Sequence, residues 1–159
     1  MHCTLRSAVS ADSEAVRRIV GSVLAEYGMT VDLGDRDSDL ADVEASYLRA
    51  GGVFYVLVDA TGAVVGGAGL MPIRAGVGEL RKMYLLPSAR GHGHGRRLLR
   101  LLLDDARRLG FHRVELETAS VLKEAISLYE AHGFRPMPLA HPGRECARSC
   151  PLAYALDLA

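Results

Sequence analysis

The 159-residue chain has no excess charge of either sign: Lys plus Arg and Asp plus Glu number 19 each. A strongly basic footprint of the kind that holds nucleic acid is therefore missing, and any anion site has to be local. Cysteine is scarce as well. Cys3, Cys146 and Cys150 are an odd set with no export signal ahead of them, which argues against a disulfide framework and for reduced thiols in a cytoplasmic protein. Cys146 and Cys150 with His141 lack a second ligand pair, so no metal is expected. No apolar run approaches the ~20 residues that a membrane span needs, and no charged segment leading into an apolar one marks a secretory leader. Two familiar phosphate-binding signatures are also absent. The central glycines end in Gly95-Arg96-Arg97, without the lysine and hydroxyl of a P-loop. Arg96 or Leu98 stands where the dinucleotide fingerprint needs its third glycine.

What is present suits one globular domain spanning 1–159, long enough for a sizeable core and too short for two. Residues 4–8 read as a first strand. Ser10 and Ser13 offer helix caps ahead of an apolar rhythm at Ala15, Val16, Ile19, Val20, Val23 and Leu24, a helix ending near Tyr27-Gly28. A polar stretch over 32–39 leads to a second expected helix at 40–48, closed by Gly51-Gly52. Residues 53–58 and 63–73 form a hairpin across the turn-forming Asp59 to Gly62. Gly66, Gly67 and Gly69 in its second strand mark a bulge, a close approach to the sheet, or a lack of room beside the first helices. A strand at 80–86 stops at Pro87.

The 95–109 segment gives the clearest helix, with Leu98, Leu99, Leu102, Ala106 and Leu109 in one stripe and Gly110 as its cap. Arg100 with Asp104, and Asp104 with Arg108, are spaced for ion pairs on its wet side. A strand at 113–118, a helix at 121–132 stopped by Gly133, and a last strand at 151–158 follow. Between the last two lies the 138–149 segment, a loop that covers an acceptor pocket or merely links strands.

Residues 79–95 read E-L-R-K-M-Y-L-L-P-S-A-R-G-H-G-H-G, a strand joined to a helix through glycines. Glycine lets the backbone approach a ligand closely and a helix start presents unpaired N–H groups, so the segment is a phosphate cradle, expected to take a pyrophosphate. Its Arg90-x-x-Gly93-x-Gly95 core follows Met83-Tyr84-Leu85-Leu86-Pro87 and precedes an amphipathic helix. Leu116-Glu117-Thr118 and Ala125-Ile126-Ser127-Leu128-Tyr129-Glu130-Ala131-His132-Gly133-Phe134 lie downstream. In these segments, which cover the second half, the chain resembles the GNAT superfamily of acetyl-CoA-dependent N-acetyltransferases.

The resemblance implies an α/β (mixed α+β) fold: a mostly antiparallel mixed sheet of six to seven strands, helices on both faces, and a parallel strand pair splayed apart at the CoA site. It implies an N-acetyltransferase that passes acetyl from acetyl-CoA, its cosubstrate, to a primary amine of a small molecule or amino acid by direct attack on the thioester. A non-catalytic CoA-binding regulatory module is the alternative. A protein acceptor stays open, and relatives commonly dimerise through the last strand. Amides from Gly91, His92, Gly93, His94, Gly95 and Arg96 would wrap the pyrophosphate, with Arg90 adding charge or fixing the loop. The edge of Met83, Tyr84 and Leu85 would pair with the pantetheine arm, and an amide near Leu85 would face the oxyanion. Catalysis at His92 or His94 is not expected.

A protonated amine needs a proton acceptor. Glu79 is the candidate base by family position, and Glu117 competes as base or as an acceptor-binding carboxylate. Tyr129 lies on the apolar stripe of its helix and, by resemblance, donates a proton to the CoA sulfur. Tyr27, Met29 and Tyr47 border the acceptor by resemblance or simply pack in the core. Two positions depart from the family: Leu122 stands where many relatives have an asparagine contacting the pantetheine, and Ala131 where some carry a base near the 3′-phosphate.

Overall fold

The computed structural model describes residues 1–139 and 151–159; His141, Cys146, Cys150 and nearly all of the 138–149 segment lie outside them. Seven strands form one sheet: β1 (Cys3–Ser7), β2 (Val53–Asp59), β3 (Val64–Arg74), β4 (Val77–Leu85), β5 (Arg113–Ala119), β6 (Arg135–Met137) and β7 (Pro151–Asp157). Their spatial order is β1-β2-β3-β4-β5-β7-β6. All neighbours are antiparallel except β4 and β5. A parallel pair cannot close through a hairpin, and the connection here is α2 (His94–Arg108). The other two helices are α1 (Ser13–Ala25) and α3 (Lys123–Ala131).

Each face of the sheet has its own apolar layer. On one, Val16, Val20 and Leu24 of α1 pack with Leu40, Val43 and Tyr47 over Phe54 and Val56. On the other, the α2 stripe of Leu98, Leu99, Leu102 and Ala106 meets Leu70, Leu80, Val114 and Leu116, with Tyr129 and Phe134 beside it. Leu98, Leu99 and Leu102 are essentially inaccessible, and each contributes about 1.5–3 kcal/mol by leaving water. At the end of α2 the Gly110 amide bonds to Arg107 and the Phe111 amide to Ala106, the reversal expected there.

Three expectations change. The 40–48 helix is two pieces, a short 3-10 turn at Ser38–Ala41 and a wide five-residue turn at Glu44–Leu48. Side chains break the continuity: Asp42 accepts from Ser10 and from the Ala45 amide, while the Val43 amide bonds to Ser13. The ion pairs on α2 are three apart, Asp104 with Arg107 and Asp105 with Arg108. Asp105 is buried and also accepts from the Tyr55 hydroxyl at 2.6 Å, while Arg100, Asp104 and Arg108 are exposed, as expected of the wet side. Finally, β4 begins three residues before the expected start, which puts Glu79 within the strand instead of at its end.

Candidate active site

The β4–β5 ladder ends at Leu80 opposite Leu116, although both strands run on. Just beyond, β4 bulges: two residues of β3, from Gly67 to Gly69, span the three-residue step from Tyr84 to Arg81. The extra residue is Lys82, the non-glycine residue at positive φ (57°) among those described. A bulge bends its strand and raises its twist, so β4 turns away from β5 here and the β5-side edge of Met83, Tyr84 and Leu85 carries no strand. The β3 glycines opposite answer to crowding as well. A Cβ on Gly69 would come within 2.5 Å of the Tyr47 ring and 2.6 Å of Phe54.

Into this gap opens a cleft of about 360 Å³. Met83, Tyr84, Leu85, Arg90, Gly91, Gly93, His94, Gly95, Arg96 and Tyr129 all line it; His92 and Glu79 do not. Gly93 is the cap of α2 at φ 79°. Among the described residues no backbone carbonyl accepts from the amides of residues 91 to 96, the next donor being Arg97 to Gly93. First-turn amides have no partner within a helix, so this turn presents a row of unused donors to the cleft. A Cβ at Gly91 or Gly93 would meet nothing within 4 Å, which leaves the approach clear.

Arg90 belongs to the frame of the loop. Its Nε donates to the Leu85 carbonyl at 2.9 Å, and its two terminal nitrogens grip both oxygens of Glu26 at 2.9 Å. That fork holds the Glu26 carboxyl below its ordinary range and ties the end of α1 to the glycine turn. Arg96 is exposed and has no carboxylate partner among the described residues, which makes it the free cation at the turn. His94 is buried with Nε2 3.1 Å from the Met1 carbonyl, and His92 lies outside against the Met1 nitrogen.

A second cleft of about 200 Å³ adjoins the first. Met83, Tyr84, Leu122, Ala125 and Tyr129 line both, so the two clefts share a wall that includes Tyr129. Tyr129 is 6% exposed, and its hydroxyl has no hydrogen-bond partner among the described residues. Burial pushes its pKa above the usual phenol value. The Tyr84 hydroxyl is pushed up to about 12, chiefly by burial and then by Asp37. Both rings therefore keep their protons at neutral pH. Leu122 supplies an apolar wall to both clefts.

The second cleft also takes in Met29, Arg36, Asp37, Arg81, Lys82 and Glu117. The Lys82 ammonium lies 3.1 Å from both Asp37 and Asp39, with all three side chains about nine-tenths buried. The Tyr47 hydroxyl donates to Asp39 as well. Tyr47 is thus fully buried and packs edge-on against Phe54, a core residue and no wall, whereas Tyr27 lines the first cleft. Glu79 is hydrogen-bonded to Arg81. Glu115, beside Glu79 in register, receives hydrogen bonds from Arg74 and Arg113 that lower its pKa. Sequence reasoning missed the Glu26 and Lys82 contacts, which join residues 64 and more than 40 positions apart. Among the described residues no group of three His, Cys, Asp or Glu could hold a metal ion, and no helix is long and apolar enough to cross a membrane.

A mixed sheet that opens between its parallel strands, above a turn of unused amides, is the architecture of acetyltransferases of the GNAT fold. The structure superposes with a TM-score of 0.88 on an acetyltransferase of the GNAT family from Staphylococcus aureus Mu50, over 99% of this chain and 100% of that one at 21% identity. It superposes with a TM-score of 0.78 on the phosphinothricin acetyltransferase of Sinorhizobium meliloti, solved in complex with AcCoA, over 99% and 89% at 25% identity. The chain itself belongs to the Acetyltransferase (GNAT) family, whose model matches residues 22–134. It is 40% identical over 134 residues to the uncharacterized N-acetyltransferase YjgM of Escherichia coli K12, covering 81% of this chain and 80% of that protein.

Proposed function

We propose that this acetyltransferase moves an acetyl group from acetyl-CoA to a primary amine of a small molecule or amino acid by direct attack on the thioester. The observation that carries the reading is the run of amides from residues 91 to 96, which no backbone carbonyl among the described residues engages, on a turn whose Gly91, Gly93, His94, Gly95 and Arg96 line a cleft that Tyr129 lines as well. The residues present fit the cosubstrate. Gly91 and Gly93 leave a cradle that a Cβ would narrow, Arg96 adds a free cation, and the edge of Met83, Tyr84 and Leu85 offers main-chain groups to an extended amide-bearing arm. When bound there, acetyl-CoA supplies the activated acyl group.

The chain's own groups then have separate tasks. Arg90, held by Glu26, keeps the turn open. The Leu85 amide donates toward the carbonyl oxygen, where negative charge grows. The amine nitrogen gains the acetyl carbon as the carbon–sulfur bond breaks. Tyr129 delivers its proton to the departing sulfur, and Glu79, which lines neither cleft but is hydrogen-bonded to Arg81 in the wall of the second, takes the amine proton through intervening water. Thiol release with acetyl-CoA and a panel of amines tests this directly. Turnover with one of them is expected, together with an acetyl-CoA-dependent rise in Tm. A rise in Tm with no turnover on any amine would favour a CoA-binding regulatory module, and no rise would refute the cradle.

A further inference from the structure

The second cleft is lined by one carboxylate, Glu117, that has no ion-pair partner among the described residues. Arg81 is engaged by Glu79, and Lys82 by Asp37 and Asp39. Arg36 lies 3.7 Å from Asp37 and donates to the Thr30 carbonyl. Among the residues that line the cleft, Arg36, Arg81 and Lys82 stand beside Asp37 and Glu117; each cation is engaged by Asp37, Asp39 or Glu79, the last two lying outside the lining, and none by Glu117. Glu117 is exposed to the cleft with neither an ion pair nor a hydrogen bond among the described residues.

Position gives this charge a use. Glu117 sits on β5 past the end of the β4–β5 ladder, while the other wall of the same cleft holds Tyr129, where the reacting amine has to arrive. At about 200 Å³ the space is below the ~300–1,000 Å³ of ordinary ligand pockets, so the acceptor is compact. An anionic tail would meet an unpaired carboxylate, and a neutral tail would leave that carboxylate without a partner. A second ammonium group would satisfy it.

We propose that the preferred acceptor is a small dication of the alkyl diamine class, whose reacting nitrogen enters beside Tyr129 while its other ammonium group is held by Glu117. The proposal rests on the transferase reading above. Chemically, the nitrogen at Tyr129 must arrive neutral, having lost one proton, whereas the nitrogen at Glu117 stays protonated throughout. Only one end is acetylated: that nitrogen becomes a neutral amide, and the product keeps a single ammonium group, which cannot be both the reacting nitrogen and the one held by Glu117.

The experiment compares 1,4-diaminobutane, 1-aminobutane and glycine as acceptors for the wild type and Glu117→Gln, following thiol release. The diamine is expected to have a kcat/KM about tenfold above that of the monoamine, the size of one partly desolvated charge pair. Glu117→Gln is expected to erase that preference through KM, about tenfold higher for the diamine and unchanged for the monoamine, with kcat held. Added salt should raise the diamine KM in the wild type alone. Equal loss of kcat for both amines, with the acidic limb of the pH profile removed, would overturn the proposal by making Glu117 the base. A preference for glycine or the monoamine would overturn it too, while leaving the transferase reading intact. No thiol release with any acceptor, despite an acetyl-CoA-induced rise in Tm, would sink both.

Discussion

Gly93→Ala separates the two jobs of the glycine turn. At φ 79° an alanine is forced into the left-handed region, which costs about 1–2 kcal/mol. No atom lies within 4 Å of the new Cβ, so no clash is added to that strain. For a domain of this size each kcal/mol corresponds to about 2–4 °C, and the unliganded Tm should fall by about 2–8 °C. The same open space is where the pyrophosphate would lie, so the methyl group should also weaken acetyl-CoA, by about tenfold or ~1.4 kcal/mol. At a ligand concentration 100 times the wild-type Kd, binding stabilises the wild type by about 2.7 kcal/mol, and the variant should keep about half of that. Gly110→Ala is the control: φ is 82°, nothing lies within 4 Å, and the site is past the far end of α2. It should suffer the same strain and keep the whole ligand-induced shift. Thermal melts with and without acetyl-CoA read both numbers. A full shift in Gly93→Ala, or an equal loss in Gly110→Ala, would refute the cradle.

Tyr129→Phe removes, from a buried ring, a hydroxyl without a hydrogen-bond partner among the described residues, so Tm should hold or rise slightly while kcat falls about 100-fold; an unchanged kcat would leave the ring as packing alone. Lys82→Met strands two buried carboxylates, and urea unfolding should show a loss of about 3–5 kcal/mol, as for breaking a buried ion pair. A loss under about 1 kcal/mol would mean that Asp37 and Asp39 are stable without their cation. Glu115, with its pKa lowered in the folded state by Arg74 and Arg113, contributes stability that is present above its unfolded pKa and disappears as pH falls through the lower folded value. Stability measured from pH 6 down to 3 should therefore drop less steeply in Glu115→Gln than in the wild type, and parallel curves would remove Glu115 from the acid response.

Local signals carried much of this molecule. The glycine turn, the α2 stripe, the strand ending at Pro87 and the caps at Gly110 and Gly133 are set by neighbours within a few positions, where φ preferences and apolar spacing act directly. The 40–48 segment was misread because its apolar rhythm suited a helix, while the long-range contacts of Ser10 and Ser13 with Asp42 and Val43 favoured a broken turn.

The burial of Tyr129 and the open glycine turn at 91–96, with Gly91 and Gly93 at positive φ, were thus determined by the sequence itself, each resting on spacing inside one element. Only the tertiary structure decided where the charges go. Alternation along β5 places Glu115 and Glu117 on one face without saying which face or what lies across from it. Strand register gave Glu115 its arginine partners and left Glu117 lining a cleft with no ion-pair partner among the described residues. The bulge at Lys82 and the grip of Glu26 on Arg90 were likewise settled between distant segments, because an ion pair depends on which chains meet in space and sequence spacing carries no record of that meeting.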